Sequence, residues 1–163
     1  FMKLLDKLNI NFHIYFVGES SGEMGVKYLD KIKNEIKENQ FSNRSTFLGS
    51  LSQESLAEEL RDSDLLLHTS EFETFGLIAI EANACGVPVL TINNGSMKEL
   101  VSNNINGFIT SDFINNEVSE FIKHLFKNDK ELISIKKKSF EKSKDFSWEK
   151  TGESISKLYK NLI

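Results

Sequence analysis

The sequence predicts an α/β fold, a doubly wound parallel sheet with helices on both faces. Short runs of β-branched and aromatic residues alternate along the chain with longer segments of helical periodicity. This alternation is typical of parallel strands joined by right-handed helical crossovers. The chain has 163 residues, 39% of them hydrophobic and 27% charged, which suits one globular domain. We therefore predict a single domain over residues 1–163.

Five strands are predicted from short apolar runs that end at turn residues. Residues 12–17 end at Gly18, and residues 45–48 end at Gly49. Residues 64–68 run up to His68, residues 87–92 follow Gly86, and residues 107–109 form a fifth, short strand. Ligands of such sheets bind beyond the carboxyl ends of the strands. Functional residues are therefore expected in the loops that follow each strand.

Helices are predicted where apolar residues recur every three or four positions. Residues 21–39 form the first long one, Ser52 caps the next, and residues 76–85 and 96–101 form two more. Gly86 is expected to take a left-handed conformation just after the helix over 76–85. From Asn115 onward the pattern is helical, with breaks near Asp129 and at residues 146–147. The predicted buried stripe of the first long helix is Met24, Tyr28, Leu29, Ile32 and Ile36.

Composition excludes several classes of protein. The net charge of −4 argues against a nucleic-acid binder, and a single cysteine, Cys85, excludes a disulfide framework and a cysteine-rich zinc site. No apolar run reaches the roughly 20 residues of a membrane helix, and the first residues lack the order of a signal peptide. A cytoplasmic protein is expected. The basic run at 136–138 is either a solvated helix face or a peripheral contact with the inner face of the membrane.

Two loops have the composition of ligand-binding loops. The first, residues 18–25, has glycines spaced by four and three, which matches neither the dinucleotide fingerprint nor the phosphate loop of nucleotide triphosphatases. The second, residues 68–88, leaves a strand, turns at Gly76 and enters a helix, where free N–H groups make a phosphate site. Glu73 and Glu81 flank this helix start. Their carboxylates suit hydroxyl-rich ligands, or equally serve as solvated or capping acids at a helix N-terminus.

The second loop resembles a known family. The segment Glu73-Thr-Phe-Gly-Leu-Ile-Ala-Ile-Glu81, followed by Ala82-Asn-Ala-Cys-Gly-Val-Pro-Val89, is similar to the signature of retaining glycosyltransferases of family 4. The segments 16–18, 47–49, 64–70, 94–101, 106–108 and 146–148 also follow the order of that family. The resemblance implies a GT-B fold, and it places the chain in the C-terminal, Rossmann-like, donor-binding domain.

The resemblance implies a site for a UDP- or GDP-linked sugar. Glu73 is the implied catalytic residue and binds hydroxyls of the transferred sugar, whereas Glu81 binds the ribose hydroxyls. The backbone near Gly76 meets the diphosphate, and the loop 48–51 lies near the base. No metal or other cofactor is implied. The full set of implied donor-binding residues is Glu73, Phe75, Gly76, Leu77, Glu81, Gly18, Gly49 and Leu51.

The sequence departs from the family at its beginning. The family's first strand, its loop with a diphosphate-binding Arg and Lys, and its N-terminal acceptor domain have no counterpart, and Lys98 does not occupy the cation position. Two strands are therefore expected to lack a neighbour, and the isolated chain is expected to have little activity. The implied acceptor is a glycan or glycolipid of surface polysaccharide or lipopolysaccharide type. The alternatives are a GT-B sugar-nucleotide epimerase or phosphorylase and a non-catalytic module that binds a nucleotide-sugar or a partner.

Overall fold

The computed structural model describes residues 1–162 and shows alternating parallel strands and helices, which confirms the predicted fold class. The chain forms two compact units, residues 1–56 and residues 57 onward, each of which is described by itself. The strands are β1 (Ile14–Val17), β2 (Ser45–Gly49), β3 (Leu66–His68), β4 (Val89–Ile92) and β5 (Gly107–Thr110). The helices are α1 (Met2–Lys7), α2 (Gly22–Glu38), α3 (Gln53–Arg61), α4 (Leu77–Ala84), α5 (Met97–Leu100), α6 (Asn116–Leu125), α7 (Asp129–Ser143) and α8 (Trp148–Lys160).

The first unit contains the parallel pair β1–β2. Phe16 of β1 stacks on Phe47 of β2 with ring centroids 4.6 Å apart, so the two strands share an aromatic contact on one face. Where the strands end, the Gly18 N–H donates to the Gly49 carbonyl oxygen at 2.8 Å. The segment 18–25 leads from β1 into α2, and a ligand-binding role for it stays a prediction.

The predicted apolar stripe of α2 is only partly buried. Ile36 is buried and Leu29 and Ile32 are half-buried, but Met24 and Tyr28 are 78% and 65% exposed. These residues are exposed because α2 is longer than the strands beside it. A helix of 17 residues extends about 25 Å at 1.5 Å per residue, whereas strands of four and five residues extend only about 13–17 Å. The sheet of this unit is too short to cover the first turns of the helix.

The second unit is built on the three-stranded parallel sheet β3-β4-β5. β4 is paired on both sides, and Val89, Leu90 and Thr91 are fully buried. Helix α4 packs on β3 and β4 through Ala79 and Ala82, whose small side chains allow a close approach, and α7 packs against α4. α4 and β4 therefore form the centre of this core.

A pair of buried amides connects α4 to the segment before β5. Asn106 is fully buried and donates to Asn83 Oδ1 at 2.6 Å and to the Leu100 carbonyl oxygen at 2.8 Å. Its Oδ1 atom accepts from the Ser102 N–H at 2.7 Å, and Asn83 Nδ2 donates to the Val87 carbonyl oxygen at 2.9 Å. These bonds satisfy backbone groups that would otherwise be buried without a partner.

The strands form two sheets and not one continuous sheet. Within residues 1–162, β1 pairs only with β2, and β3 pairs only with β4. β2 and β5 likewise pair with one strand each within these residues, so the expectation that two strands lack a neighbour stays a prediction. The extent of the domain, residues 1–163 as one unit of a larger fold, stays a prediction. No helix in this described range combines the length and the apolarity needed to cross a membrane.

Candidate functional site

The loop between β3 and α4 carries the first predicted carboxylate, Glu73. Gly76 caps α4 in the left-handed conformation, with φ +84°. A Cβ atom at this position would lie 2.2 Å from Met97 Cε, so the end of the Met97 side chain would have to move, and the positive φ itself favours glycine. The turn that sequence analysis placed at Gly76 is present, and α4 begins at Leu77.

The carboxylate of Glu73 folds back onto its own loop. Glu73 Oε1 accepts hydrogen bonds from the N–H groups of Thr74, Phe75 and Gly76, at 2.9, 3.3 and 3.1 Å. Sequence analysis assigned the backbone of residues 75–77 to a ligand. In the structure the Phe75 and Gly76 N–H groups bond to Glu73, whereas the N–H groups of Leu77 and Ile78 have no hydrogen-bond partner within residues 1–162. The N–H groups free for an anion therefore begin at Leu77.

These contacts change the acidity of Glu73. Partial burial of the carboxyl group raises its pKa, but hydrogen bonds from the N–H groups of residues 74–76 and from the His68 ring outweigh burial and hold the pKa below its usual value. Glu73 is therefore ionised at neutral pH and acts only as a hydrogen-bond acceptor. With 23% of its side chain exposed, the carboxylate still reaches the surface of the loop.

His68 connects this carboxylate to the sheet. It is the last residue of β3, is only 7% exposed, and pairs in register with Thr91 of β4. Its Nδ1 atom lies 3.0 Å from Thr91 Oγ1, and its Nε2 atom lies 3.3 Å from Glu73 Oε2. The sequence pattern predicts His68 at the end of a strand and gives Thr91 no role, because neither residue type nor spacing shows which strands pair in which register.

The loop after β4 holds the Glu73 loop from a second side. Asn94 Nδ2 donates to the Ser70 carbonyl oxygen, and Ser96 Oγ donates to the Phe75 carbonyl oxygen at 2.5 Å. Between them, Gly95 approaches so closely that a Cβ atom there would lie 2.0 Å from the Glu73 carbonyl oxygen. The sequence pointed to this loop only because it follows a predicted strand. The contacts of the individual residues depend on the fold.

The second predicted carboxylate, Glu81, lies on α4 and is half-buried. Glu81 has no hydrogen-bond or ion-pair partner in the part of the chain that the structure describes. It lies four residues after the first residue of α4, about 6 Å along the axis at 1.5 Å per residue. A half-buried carboxylate without a partner is available to accept hydrogen bonds from a ligand.

The remaining predicted residues lie in the first unit. Gly18 and Gly49 are brought together by their hydrogen bond, and Leu51 is half-buried. Their part in a donor site with Glu73 stays a prediction. Over residues 1–162, no group of three or more His, Cys, Asp and Glu side chains is arranged to hold a metal ion.

Family comparison identifies the chain. A model of the family described as glycosyl transferases group 1 matches residues 1–142. The chain belongs to the glycosyl transferases group 1 family. A glycosyltransferase of Methanocaldococcus jannaschii is 30% identical over 160 residues, which are 98% of this chain and 44% of that protein. The D-inositol 3-phosphate glycosyltransferase of Mycolicibacterium smegmatis is 30% identical over 150 residues, 92% of this chain and 34% of that protein.

Solved structures agree with this assignment. Anabaena HepE in complex with UDP superposes with a TM-score of 0.82 at 24% identity, over 97% of this chain and 44% of HepE. HepE in complex with UDP-glucose gives a TM-score of 0.77 at 26% identity, over 91% of this chain and 41% of HepE. The chain thus spans less than half the length of these group 1 relatives. The Rossmann-like prediction is confirmed, and the chain corresponds to the C-terminal domain of a GT-B glycosyltransferase.

Proposed function

We propose that this chain is the donor-binding half of a retaining glycosyltransferase that moves a hexose from a UDP- or GDP-linked donor to a glycan or glycolipid acceptor. The observation that carries the proposal is the pair Glu73 and Glu81 at the start of α4. One carboxylate is fixed by the loop and still partly exposed, and the other is half-buried without a partner. Two carboxylates near a helix N-terminus match the two hydroxyl-bearing rings of a nucleotide-sugar, with the diphosphate between them.

The diphosphate would bind at the N-terminus of α4. The N–H groups of Leu77 and Ile78 are free there, and the helix dipole adds partial positive charge. Negative charge builds on the leaving diphosphate as the bond between its oxygen and the anomeric carbon of the sugar breaks. N–H groups that are already fixed in place stabilise that charge more in the transition state than in the ground state, which lowers the activation barrier.

The sugar would lie against Glu73 and the ribose against Glu81. Glu73 Oε1 is occupied by three N–H groups, whereas Oε2 has the single contact with His68 Nε2 among the described residues and can still accept a sugar hydroxyl. Phe72, Phe75 and Leu77 are exposed around the same loop, Phe72 to 92%, and give apolar surface for sugar or base faces. Glu73 is accordingly the catalytic residue of the proposal, with no metal ion or other cofactor involved.

The relatives support the donor class. HepE has been crystallised in complex with UDP-glucose, which supports a nucleotide-sugar as the donor. The Mycolicibacterium relative is named D-inositol 3-phosphate glycosyltransferase, which supports the transferase activity. Transfer with retention of configuration, a surface polysaccharide or lipopolysaccharide product, a cytoplasmic location and peripheral contact with the membrane are parts of the same proposal. A second domain would supply the acceptor side, and the isolated chain is proposed to have little or no turnover.

The test is isothermal titration of this chain with UDP, GDP and UDP-glucose, repeated with Glu81→Ala. We expect one nucleotide to bind and Glu81→Ala to weaken it about tenfold, the loss of one or two hydrogen bonds to a charged group. Glu153→Ala is the matched control, because Glu153 is exposed on α8 and has no described partner. Absence of binding by any nucleotide, or equal loss in both variants, would overturn the assignment of the donor site.

A further inference from the structure

His68 lies between the sheet and the candidate catalytic carboxylate. Its ring is almost fully buried, and both ring nitrogens face a polar partner, Thr91 Oγ1 at 3.0 Å and Glu73 Oε2 at 3.3 Å. No polar atom of the ring remains for a ligand. Thr91 is itself fully buried on β4, the strand paired on both sides, so this end of the contact is fixed by the core.

The chemistry of the two partners sets the position of the ring proton. An ionised carboxylate only accepts hydrogen bonds, so the proton must be on Nε2 for the contact with Glu73 to be favourable. With the ring proton on Nε2, Nδ1 is an acceptor, and the Thr91 hydroxyl donates to it at 3.0 Å in preference to the Ile92 carbonyl oxygen, which lies farther away at 3.3 Å. The hydrogen bonds therefore run in one direction, from Thr91 to His68 and from His68 to Glu73.

We propose that His68 is a positioning residue, which fixes the orientation of the Glu73 carboxylate through its Nε2 proton. The proposal rests on the proposed function, because it concerns how Glu73 meets the sugar. The three N–H groups of residues 74–76 hold Oε1 alone, and a carboxylate held by one oxygen can still swing the other. The contact between His68 Nε2 and Oε2 removes that freedom. The remaining lone pair of Oε2 therefore has a fixed orientation before the nucleotide-sugar binds.

Two substitutions of His68 separate the volume of its ring from the hydrogen bond that Nε2 donates to Glu73. Leucine fills a comparable volume but has no donor, whereas the amide nitrogen of glutamine takes a position close to that of Nε2. His68→Leu therefore removes the contact, and His68→Gln keeps it. The matched control is His13→Leu, since His13 also has a ring nitrogen near a threonine hydroxyl, Thr46 Oγ1 at 2.8 Å, but is exposed and lies in the first unit.

The first experiment is ¹H–¹⁵N NMR of the histidine rings in this chain. We expect a slowly exchanging proton on His68 Nε2 whose resonance shifts in Glu73→Gln, while the His13 signals stay unchanged. A ring without a proton on Nε2, or a signal indifferent to Glu73→Gln, would overturn the proposal. This measurement needs no donor, so it decides the link between His68 and Glu73 independently of the proposed function.

The second experiment compares UDP-glucose with UDP by titration. We expect His68→Leu to bind UDP-glucose about tenfold more weakly and to keep its affinity for UDP. His68→Gln should recover most of the lost affinity for UDP-glucose. His13→Leu should bind both ligands like the unsubstituted chain. Equal weakening of both ligands, or no recovery with glutamine, would show a purely structural role and overturn the proposal. If the unsubstituted chain binds none of UDP, GDP and UDP-glucose, the proposed function fails, and the NMR result still stands on its own.

Discussion

Replacement of Gly95 by alanine should damage the Glu73 loop directly. Gly95 has φ +42°, and a Cβ atom there would lie 2.0 Å from the carbonyl oxygen of Glu73 and 3.2 Å from its carbonyl carbon. Real Cβ atoms essentially never approach within 3.0 Å of such an atom, so the backbones at Gly95 and Glu73 must separate by at least about 1 Å. The atom in the way belongs to the backbone and has no rotamer by which to avoid the new methyl group.

The loss of folding free energy in Gly95→Ala has two causes. A non-glycine residue in the left-handed region costs about 1–2 kcal/mol, and forcing a methyl group into a packed position costs about 1–3 kcal/mol more. Gly95→Ala should therefore lower the free energy of unfolding by about 2–5 kcal/mol. Gly22→Ala isolates the first cause, because Gly22 has φ +68° and no atom within 4 Å of its Cβ position. That control should lose only about 1–2 kcal/mol.

Urea denaturation followed by circular dichroism measures both variants, and ¹H–¹⁵N spectra report the amides of residues 70–76. We expect these amide signals to move in Gly95→Ala and to stay in place in Gly22→Ala. Equal destabilisation of the two variants, with unmoved loop signals, would refute the reasoning that Gly95 supports the Glu73 loop by close approach.

Three further predictions concern stability. Asn106→Ala should lower the free energy of unfolding by about 3 kcal/mol or more, because it leaves several buried polar groups without a partner. A loss below about 1 kcal/mol in urea denaturation would contradict this prediction. Asn115→Ala removes the side-chain cap of α6, a 2.8 Å bond from the Val118 N–H, and should cost about 1 kcal/mol in the same assay. Because the pKa of Glu73 is lowered on folding, its stabilising contribution is complete above the usual glutamate value near 4.5 and is lost as the pH falls through the lower value of the folded state. Glu73→Gln should therefore lose less stability than the unsubstituted chain on acidification below about pH 4.5, and identical acid profiles would contradict the assignment.

The element pattern and the centre of the candidate site were predictable from sequence. The run from Leu77 to Ala84 with Gly76 before it and Gly86 after it specifies a helix with left-handed glycines on both sides, and both glycines have positive φ. Strand limits were less accurate. The strand predicted over 12–17 is paired only over Ile14–Val17, and the one predicted over 64–68 only over Leu66–His68. Pairing depends on a neighbouring strand, and a local pattern does not contain the neighbour.

The sequence by itself determined the alternation of strands and helices, the turn at Gly76 and the two carboxylates, one before α4 and one on it. These follow from local chemistry, namely side-chain periodicity, glycine at positive φ and a fixed spacing along one helix. The tertiary structure alone decided that His68 meets Thr91, residues 23 positions apart, because the register of β3 on β4 places them side by side. It likewise decided that Gly95 touches the Glu73 loop. Contacts between distant segments depend on strand register and close packing, and neither is encoded in the spacing of any single segment.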